Sequence, residues 1–368
     1  MFIHQYTSLT SETVADLTEE SQDALAQFSV ERLTGYGCDH ADAAEIRARV
    51  RCGEAWASAA TELANRLTDA LRESKVPVSD ATRIAFLRRA SSLLRMGQII
   101  MLADSDTRRS MMRRASDLHL EAAQLDGSYE KILIDGDPPM VGWIYPARAG
   151  QSVRADAGVL VVGGIEGWAM DLHAFGVALS ERGITALLVD GPGQGETRLE
   201  HRHFMRRDWI ERYRSAVDAL SERCGGARIG ILGNSMGGSF VTLVASADQR
   251  IAACCNNGGA EDPLGLKQRK NFFAKLQAFC GDLADSEVDA IWTSVRPNDS
   301  AVTLDCPYLI IQGGSDPLVS VEESQRILAR ARSRDKSIHV FSDGVHCLYN
   351  HTADMRPLVA DWMRSRLT

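Results

Sequence analysis

Residues Arg228-Ile-Gly-Ile-Leu-Gly-Asn-Ser-Met-Gly-Gly-Ser-Phe240 decide the fold of this chain. The segment begins with a short apolar run, passes through the turn Gly233-Asn-Ser-Met-Gly237 and continues into residues spaced for a helix. Glycine on both sides of a turn lets a strand and a helix approach closely, because glycine has no side chain to clash. The segment therefore predicts a strand, a strained turn and a helix, with Ser235 at the tip of the turn.

Ser235 has the surroundings that a nucleophilic serine requires. The pattern GxSxG alone occurs in many unrelated chains, but here it follows a predicted strand and precedes a predicted helix. The N-terminus of that helix would favour negative charge that develops beside Ser235. A purely structural glycine turn is the weaker interpretation.

A serine nucleophile needs a base, and the base needs a carboxylate that fixes its tautomer. Asp316 follows the apolar run Tyr308 to Gln312, and His346 follows the next such run. Taken singly, Asp316 could start a turn before proline and His346 could be a surface histidine. The order Ser, Asp, His predicts Ser235 as nucleophile, His346 as general base and Asp316 as orienting carboxylate. Asp343 is the weaker candidate for the carboxylate, because it precedes glycine in a turn-like setting.

Two backbone N–H groups are needed to bind the oxyanion of the intermediate. The amide of Met236, directly after the nucleophile, is the first candidate. The second should come from the loop Gly163-Gly-Ile-Glu-Gly167, where glycines permit an exposed backbone. Ile165 and Gly164 are the candidates there.

The pattern of the sequence changes between residues 125 and 129, from helical spacing to short apolar runs. Residues 1–125 are expected to form an all-helical domain, and residues 126–368 an α/β domain with a helical insertion at about 261–304. Short apolar runs that alternate with amphipathic segments predict a mostly parallel sheet. The predicted strands are Lys131–Ile134, Met140–Tyr145, Val159–Val162, Thr185–Val189, Arg228–Leu232, Ile251–Cys255, Tyr308–Gln312 and Ile338–Phe341.

Composition removes several classes of function. The chain has 368 residues, of which 45% are hydrophobic, and a formal net charge of -8, which gives nucleic acid or an anionic membrane no reason to bind. No apolar stretch approaches the roughly 18 residues of a membrane span, and residues 1–17 lack the pattern of an export signal. Eight scattered cysteines predict reduced thiols in the cytoplasm. No metal and no cofactor are expected.

Three motifs carry a closer resemblance: Val161-Val-Gly-Gly-Ile-Glu-Gly167, Val189-Asp-Gly-Pro-Gly-Gln-Gly-Glu196 and Gly233-Asn-Ser-Met-Gly-Gly238. Together they resemble a branch of the α/β-hydrolase superfamily that contains 2,6-dihydroxypseudooxynicotine hydrolase and fungal polyketide-shortening hydrolases. The resemblance covers nearly the whole chain. It implies the α/β-hydrolase fold with an N-terminal helical cap over the active site, and a homodimer.

The resemblance also implies the reaction, namely hydrolysis of a carbon–carbon bond next to a carbonyl of a small-molecule substrate. An additional acidic residue near the substrate is implied too, and Glu261 (or Asp262) and Glu166 are its candidates. Candidate walls of the pocket, with packing in the cap core as the alternative, are Phe2, Tyr6, Phe28, Tyr36 and Trp56.

Three hypotheses of different class remain open at this point. The first is a C–C bond hydrolase that acts on a β-dicarbonyl, acyl-aromatic or polyketide-type substrate. The second is an esterase, lactonase, thioesterase or cyclase with the same triad, since acyl attack is common to both. The third is a non-catalytic binding or regulatory protein on the same fold, against which the complete triad argues.

Overall fold

The structure is a computed structural model, which describes residues 17–148, 157–297, 299 and 302–368. In that part of the chain, the N-terminal region is helical throughout, as predicted. Its helices are α1 (Glu19–Gln27), α2 (Val30–Gly35), α3 (His40–Arg51), α4 (Trp56–Arg72), α5 (Asp80–Gln98) and α6 (Asp106–Asp126).

Local chemistry explains where most of these helices begin. The side chains of Thr18, Ser29, Asp39, Ser79 and Ser105 accept hydrogen bonds from backbone N–H groups of the first turns of α1, α2, α3, α5 and α6. Such caps satisfy N–H groups that have no partner inside the helix. The helices bury their own apolar cluster, which includes Phe28, Ile46, Trp56, Leu63 and Leu93.

An eight-stranded sheet follows the helical region. Its strands are β1 (Glu130–Ile134), β2 (Met140–Tyr145), β3 (Ala157–Val162), β4 (Thr185–Asp190), β5 (Arg228–Asn234), β6 (Ile251–Asn257), β7 (Tyr308–Gly313) and β8 (Lys336–Phe341). The spatial order is β1-β2-β4-β3-β5-β6-β7-β8. β2 runs antiparallel to β1 and β4, and the other pairs are parallel. All eight predicted strands are confirmed, as is the mostly parallel sheet.

Helices cover both faces of this sheet. They are α7 (His173–Ser180), α8 (Gly195–Leu199), α9 (Trp209–Arg223), α10 (Met236–Ala247), α11 (Phe272–Cys280), α12 (Asp285–Thr293), α13 (Val321–Arg330) and α14 (Thr352–Leu367). Alternate residues of each central strand point to opposite faces. In β3, Leu160 and Val162 therefore join the cluster under α9 and α10, while Val159 and Val161 join the cluster under α7 and α14. Both faces are buried, which explains why the strands read as continuous apolar runs.

The segment predicted as an insertion is helical, as expected. It contains the 3-10 helix Pro263–Gln268 followed by α11 and α12. Its apolar side chains Leu276, Phe279 and Trp292 belong to the same cluster as α9 and α10. The insertion therefore packs firmly enough to place polar side chains at the edge of the sheet.

Candidate active site

Ser235 occupies the turn between β5 and α10 in a strained backbone conformation. Its φ is 57° and its ψ is -130°, a region that residues with a side chain rarely adopt. The turn has no room for larger residues, because a Cβ on Gly233 would lie 2.1 Å from the carbonyl oxygen of Gly237. A Cβ on Gly237 would lie 2.3 Å from the carbonyl oxygen of Val162. The geometry presents the Ser235 hydroxyl at the carboxyl edge of the sheet, as the sequence predicted.

His346 lies within hydrogen-bonding distance of that hydroxyl. It begins the 3-10 helix His346–His351 after β8, and its Nε2 is 2.8 Å from Ser235 Oγ. Its other ring nitrogen, Nδ1, is 2.8 Å from Oδ2 of Asp316. The Asp316 contact favours a proton on Nδ1, which leaves Nε2 free to accept the serine proton.

Asp316 is held in place by backbone groups of its own loop. Oδ1 accepts hydrogen bonds from the N–H groups of Leu318, at 2.7 Å, and Val319, at 3.1 Å. Burial alone would raise the pKa of Asp316, but His346 and these two amides outweigh burial and lower the pKa. The weaker candidate, Asp343, instead pairs with His351 and is 76% exposed. The structure thus brings Ser235, His346 and Asp316 together and leaves Asp343 outside.

The pKa of His346 is shifted in the direction that strengthens a base. Burial of the ring disfavours the imidazolium, but the interactions with Cys347 and Asp316 outweigh burial and raise the pKa of His346. The ring must lose its proton before it can accept one from Ser235. The shift therefore bears directly on the pH dependence of any reaction at this site.

The loop after β3 lies directly against Ser235. A Cβ on Gly164 would be 2.8 Å from the Cβ of Ser235, so only glycine permits this approach. The N–H of Gly164 donates to the carbonyl of Gly167 at 2.8 Å and is already used within the loop. Ile165 lines the same cavity as Ser235 and Met236. Met236 is the first residue of α10, whose N–H has no partner within the helix. The candidate oxyanion donors are therefore the N–H groups of Met236 and Ile165.

Ser235 opens into a cavity of about 310 Å³ between the helical region and the sheet. Its walls come from α1 and α2, from the loops after β3, β5, β6, β7 and β8, and from the segment between β6 and β7 that carries α11. They include Gln27, Arg32, Tyr36, Ile165, Glu166, Met236, Leu266, Phe272, Lys275, Leu318 and His346. A cavity of this size fits a small organic molecule.

Glu166 lies in the cavity wall between two cations. Arg32 of α2 donates to its Oε2 at 2.5 Å, and Lys275 of α11 donates to its Oε1. All three side chains are at least four-fifths buried, with exposures of 17%, 13% and 15% for Arg32, Glu166 and Lys275. Burial would raise the pKa of Glu166, but the two cations outweigh burial and lower the pKa. This cluster joins α2, the loop after β3 and α11.

Glu261, the other acidic candidate, is placed differently. Its carboxylate pairs with the Arg326 guanidinium of α13 through two hydrogen bonds, at 2.8 and 2.5 Å. It is not among the residues that line the cavity at Ser235, and Asp262 pairs with Arg296. Of the acidic candidates, the structure brings only Glu166 to the site.

The candidate wall residues separate in the same way. Tyr36 lines the cavity, whereas Phe28 and Trp56 contact each other in the cap core. Phe2 and Tyr6 lie outside the described residues. Arg32 and Lys275 were not singled out in the sequence, because each is an ordinary charged residue on a helix and their meeting point is set by packing alone.

Neither a metal site nor a membrane-spanning helix is present in the described part of the chain. Residues 17–148, 157–297, 299 and 302–368 contain no group of three or more His, Cys, Asp or Glu that could hold a metal ion. Across the same residues, the helices are all too short or too polar to cross a membrane.

Comparisons with known proteins agree with this architecture. A profile of the family "Serine aminopeptidase, S33" matches residues 289–353, the part that carries Asp316 and His346. The 2,6-dihydropseudooxynicotine hydrolase of Paenarthrobacter nicotinovorans is 27% identical over 274 residues, which cover 70% of each chain. Hydrolase LUC6 of a Fusarium species is 26% identical over 255 residues, 64% of this chain and 60% of that protein.

Solved structures extend the likeness to the whole fold. The crystal structure of the 2,6-dihydroxy-pseudo-oxynicotine hydrolase superposes with a TM-score of 0.77 and 24% identity, covering 92% of this chain and 96% of that one. The chain therefore has the α/β-hydrolase fold. The structure of AbyA5 also superposes, with a TM-score of 0.69 and 16% identity over 96% of this hydrolase and 100% of that chain. The relatives confirm the resemblance to the branch that the three motifs indicated, and the helices at residues 19–126 fit the cap expected there.

Proposed function

We propose that the hydrolase cleaves a carbon–carbon bond next to a carbonyl, with Ser235 as nucleophile, His346 as general base and Asp316 as orienting carboxylate. The observation that carries the proposal is the chain of two 2.8 Å hydrogen bonds from Ser235 through His346 to Asp316, at the wall of the cavity lined by Tyr36 and Ile165. The resemblance to the branch of 2,6-dihydroxypseudooxynicotine hydrolase supplies the type of bond. Its substrate would be a β-dicarbonyl, acyl-aromatic or polyketide-type molecule.

The reaction follows from the positions of these side chains. Ser235 Oγ attacks the carbonyl carbon while Nε2 of His346 takes the hydroxyl proton. The carbonyl oxygen becomes negative between the N–H groups of Met236 and Ile165. The C–C bond then breaks, and the leaving carbon accepts the proton from His346 while a neighbouring carbonyl or ring delocalises its charge. Water, deprotonated by His346, hydrolyses the acyl-serine and releases a carboxylic acid.

Tyr36 supports a substrate with a second oxygen function. Its hydroxyl accepts hydrogen bonds from the hydroxyl of Tyr349, at 2.9 Å, and from Nη2 of Arg32, at 3.3 Å. Among the described residues, this hydroxyl accepts both of these bonds and donates none. Because Tyr36 lines the cavity, the proton of its hydroxyl is available to an oxygen of the substrate. A β-dicarbonyl or hydroxyaryl ketone offers such an oxygen, and a simple aliphatic ester offers fewer.

The proposal includes the surroundings of the site. We place the cap at residues 1–125 and the catalytic domain at 126–368, because Arg32 and Tyr36 of the cap line the same cavity as Ser235. Glu166, held between two cations, is the proposed substrate-side carboxylate. A homodimer is proposed from the resemblance, and light scattering of the purified protein tests it. A cytoplasmic location is proposed because all eight cysteines are unpaired.

The test is mass-spectrometric analysis of products from a panel of aryl β-diketones, p-nitrophenyl esters and acyl thioesters. The wild type should cleave diketones, and Ser235→Ala should lose about 10⁴-fold or more of the rate, since triad members act as a unit. Ser246→Ala is the matched control, because this residue lies on the same helix and bonds only to the carbonyl of Thr242. It should keep wild-type turnover.

The other outcomes separate the competing functions. Preferential turnover of esters or thioesters would favour an acyl hydrolase and count against C–C cleavage. Diketone cleavage that survives in Ser235→Ala would exclude the serine mechanism. Absence of any turnover, together with binding of diketones, would favour a binding protein on this fold.

A further inference from the structure

Gln194 is buried, and its side-chain amide makes hydrogen bonds within its own loop and to the loop after β3 beside Ser235. It lies in the glycine-rich loop after β4 and is 0% exposed. Its Oε1 accepts the N–H of Gly191, at 2.9 Å, and the hydroxyl of Tyr213, at 3.2 Å. Its Nε2 donates to the carbonyls of Gly163, at 2.8 Å, and Gly164, at 2.9 Å. Both hydrogens of the amide nitrogen are therefore used on the loop that flanks Ser235.

The geometry of one peptide bond links Gln194 to the site. The carbonyl of Gly164 and the N–H of Ile165 belong to the same planar unit, and in a trans peptide these two groups point in opposite directions. The cis bond found in the described residues is Asp137–Pro138, so this peptide is trans. Holding the Gly164 carbonyl on one side fixes the direction of the Ile165 N–H on the other.

We propose that Gln194 is a positioning residue that aims the Ile165 N–H at the carbonyl oxygen of the substrate. The loop by itself does not fix the direction of this N–H, because Gly163 and Gly164 restrict the backbone dihedral angles very little. The side-chain amide of Gln194 holds the carbonyls of Gly163 and Gly164. A 2.8 Å hydrogen bond from the N–H of Gly164 to the carbonyl of Gly167 also closes the loop. Gln194 does not touch the substrate. The inference rests on the proposed function, because it presupposes Ser235 as nucleophile.

Two reagents distinguish this positioning role from a general loss of structure at the site. A fluorophosphonate phosphonylates Ser235: the Oγ–P bond forms, fluoride leaves, His346 takes the proton, and the phosphoryl oxygen gains charge in the oxyanion hole. Iodoacetamide alkylates the thiol of the Ser235→Cys variant, where an S–C bond forms and iodide leaves. No charged oxygen develops in that step. The first reaction needs the oxyanion hole and the second does not.

Gln194→Met keeps the length of the side chain and removes both donor hydrogens. Its fluorophosphonate labelling should slow about 10- to 100-fold, somewhat less than the loss of a whole oxyanion donor. In the Ser235→Cys background, the same substitution should leave the iodoacetamide rate within about 3-fold, since proton transfer to His346 is intact. Tyr213→Phe is the matched control, because it removes a bond to Oε1 and leaves both Nε2 donors in place. It should label at nearly the wild-type rate.

Each other result overturns the inference. Unchanged labelling of Gln194→Met would show that the loop holds its direction without the amide. Equal losses with both reagents would show a structural role that is not specific to the oxyanion. Failure of the wild type to label at Ser235 would refute the proposed nucleophile, and the role of Gln194 with it.

Discussion

The imidazole of His346 carries the pH dependence of the proposed reaction. Its contact with the Asp316 carboxylate stabilises the protonated ring and contributes to the raised pKa. Asp316 keeps a lowered pKa, so it stays ionised throughout the range in which histidine titrates. The reactive form, with His346 neutral, therefore forms only as pH rises through a pKa above the ordinary 6.5.

Fluorophosphonate labelling of Ser235, followed as a function of pH, should rise along a limb whose midpoint lies above 6.5. In Asp316→Asn the limb should move to lower pH, because the charge that stabilises the imidazolium is gone. Its plateau should fall by up to about 10⁴, because the ring loses its correct tautomer. Asp343→Asn is the matched control, since Asp343 contacts His351 and not His346. A dead Asp343→Asn beside a fully active Asp316→Asn would refute the assignment.

Among the elements, the contact of β5, α10 and β3 depends on glycine. Gly237 is the second residue of α10, and a Cβ there would meet the carbonyl oxygens of Val162 at 2.3 Å and Gly163 at 2.6 Å. Both atoms are backbone at the end of β3, and neither can move without displacing the oxyanion loop. Close approach of helix and strand is therefore built into the same segment that holds Ser235.

Gly237→Ala should lower the free energy of unfolding by about 1–3 kcal/mol, the usual cost of an overpacked site. Chemical denaturation followed by circular dichroism measures it. Gly265→Ala is the matched control, because the nearest atom to its Cβ would be Asp262 Cγ at an ordinary 3.6 Å. A Gly237→Ala protein as stable as the control would show that the end of β3 yields easily.

In the molecule as a whole, ion pairs join the helical region to the sheet region. Arg198 of α8 is 3% exposed and donates to Asp104, between α5 and α6, at 2.5 to 3.1 Å. Arg108 of α6 lies 3.4 Å from the same carboxylate. Burial and repulsion from Arg198 lower the pKa of Arg108 to about 9, with Asp104 acting against the shift. One carboxylate thus compensates two buried cations.

Asp104→Asn should lower the free energy of unfolding by about 3–5 kcal/mol, because it leaves two buried guanidinium groups without a counter-charge. Asp208→Asn is the control, since its pair with Arg212 is 47% exposed on the aspartate side and should change stability by less than about 1 kcal/mol. Denaturant titration of both variants measures the difference. If both variants lowered the free energy of unfolding equally and only slightly, water would have to screen the Asp104 cluster. The cluster would then not stabilise the contact between the helical region and the sheet region.

Most of the fold and three residues of the site could be predicted from local sequence. The six inner strands are buried on both faces and read as apolar runs, and the edge strands β1 and β8 read as short runs rich in β-branched residues, so all eight were predicted. Ser235, Asp316 and His346 each follow one of those strands, and parallel strands place their carboxyl ends at one edge. The sequence therefore predicted that each of the three residues lies at this edge of the sheet, but not the distances between their side chains.

Contacts between single charged or amide side chains could not be predicted from the sequence in this way. Arg32, Glu166 and Lys275 lie on α2, the loop after β3 and α11, and no local pattern connects them. Glu261 was a candidate because the resemblance implies an acidic residue downstream of the nucleophile strand, yet it pairs with Arg326 on α13. Gln194 lies in the run Val189–Glu196, which contributes to the family resemblance, and no local pattern connects it to the loop after β3.

The sequence by itself determined the order of the strands along the chain, the strained turn at Ser235 and the residue types of the proposed triad, because hydrophobic periodicity and glycine requirements act between neighbours. Tertiary structure alone decided which amide of the loop after β3 is a candidate oxyanion donor, which of the acidic candidates faces the cavity and which side chain holds that loop. These depend on hydrogen bonds and ion pairs between segments distant in sequence, whose energies appear only when packing removes water from around them.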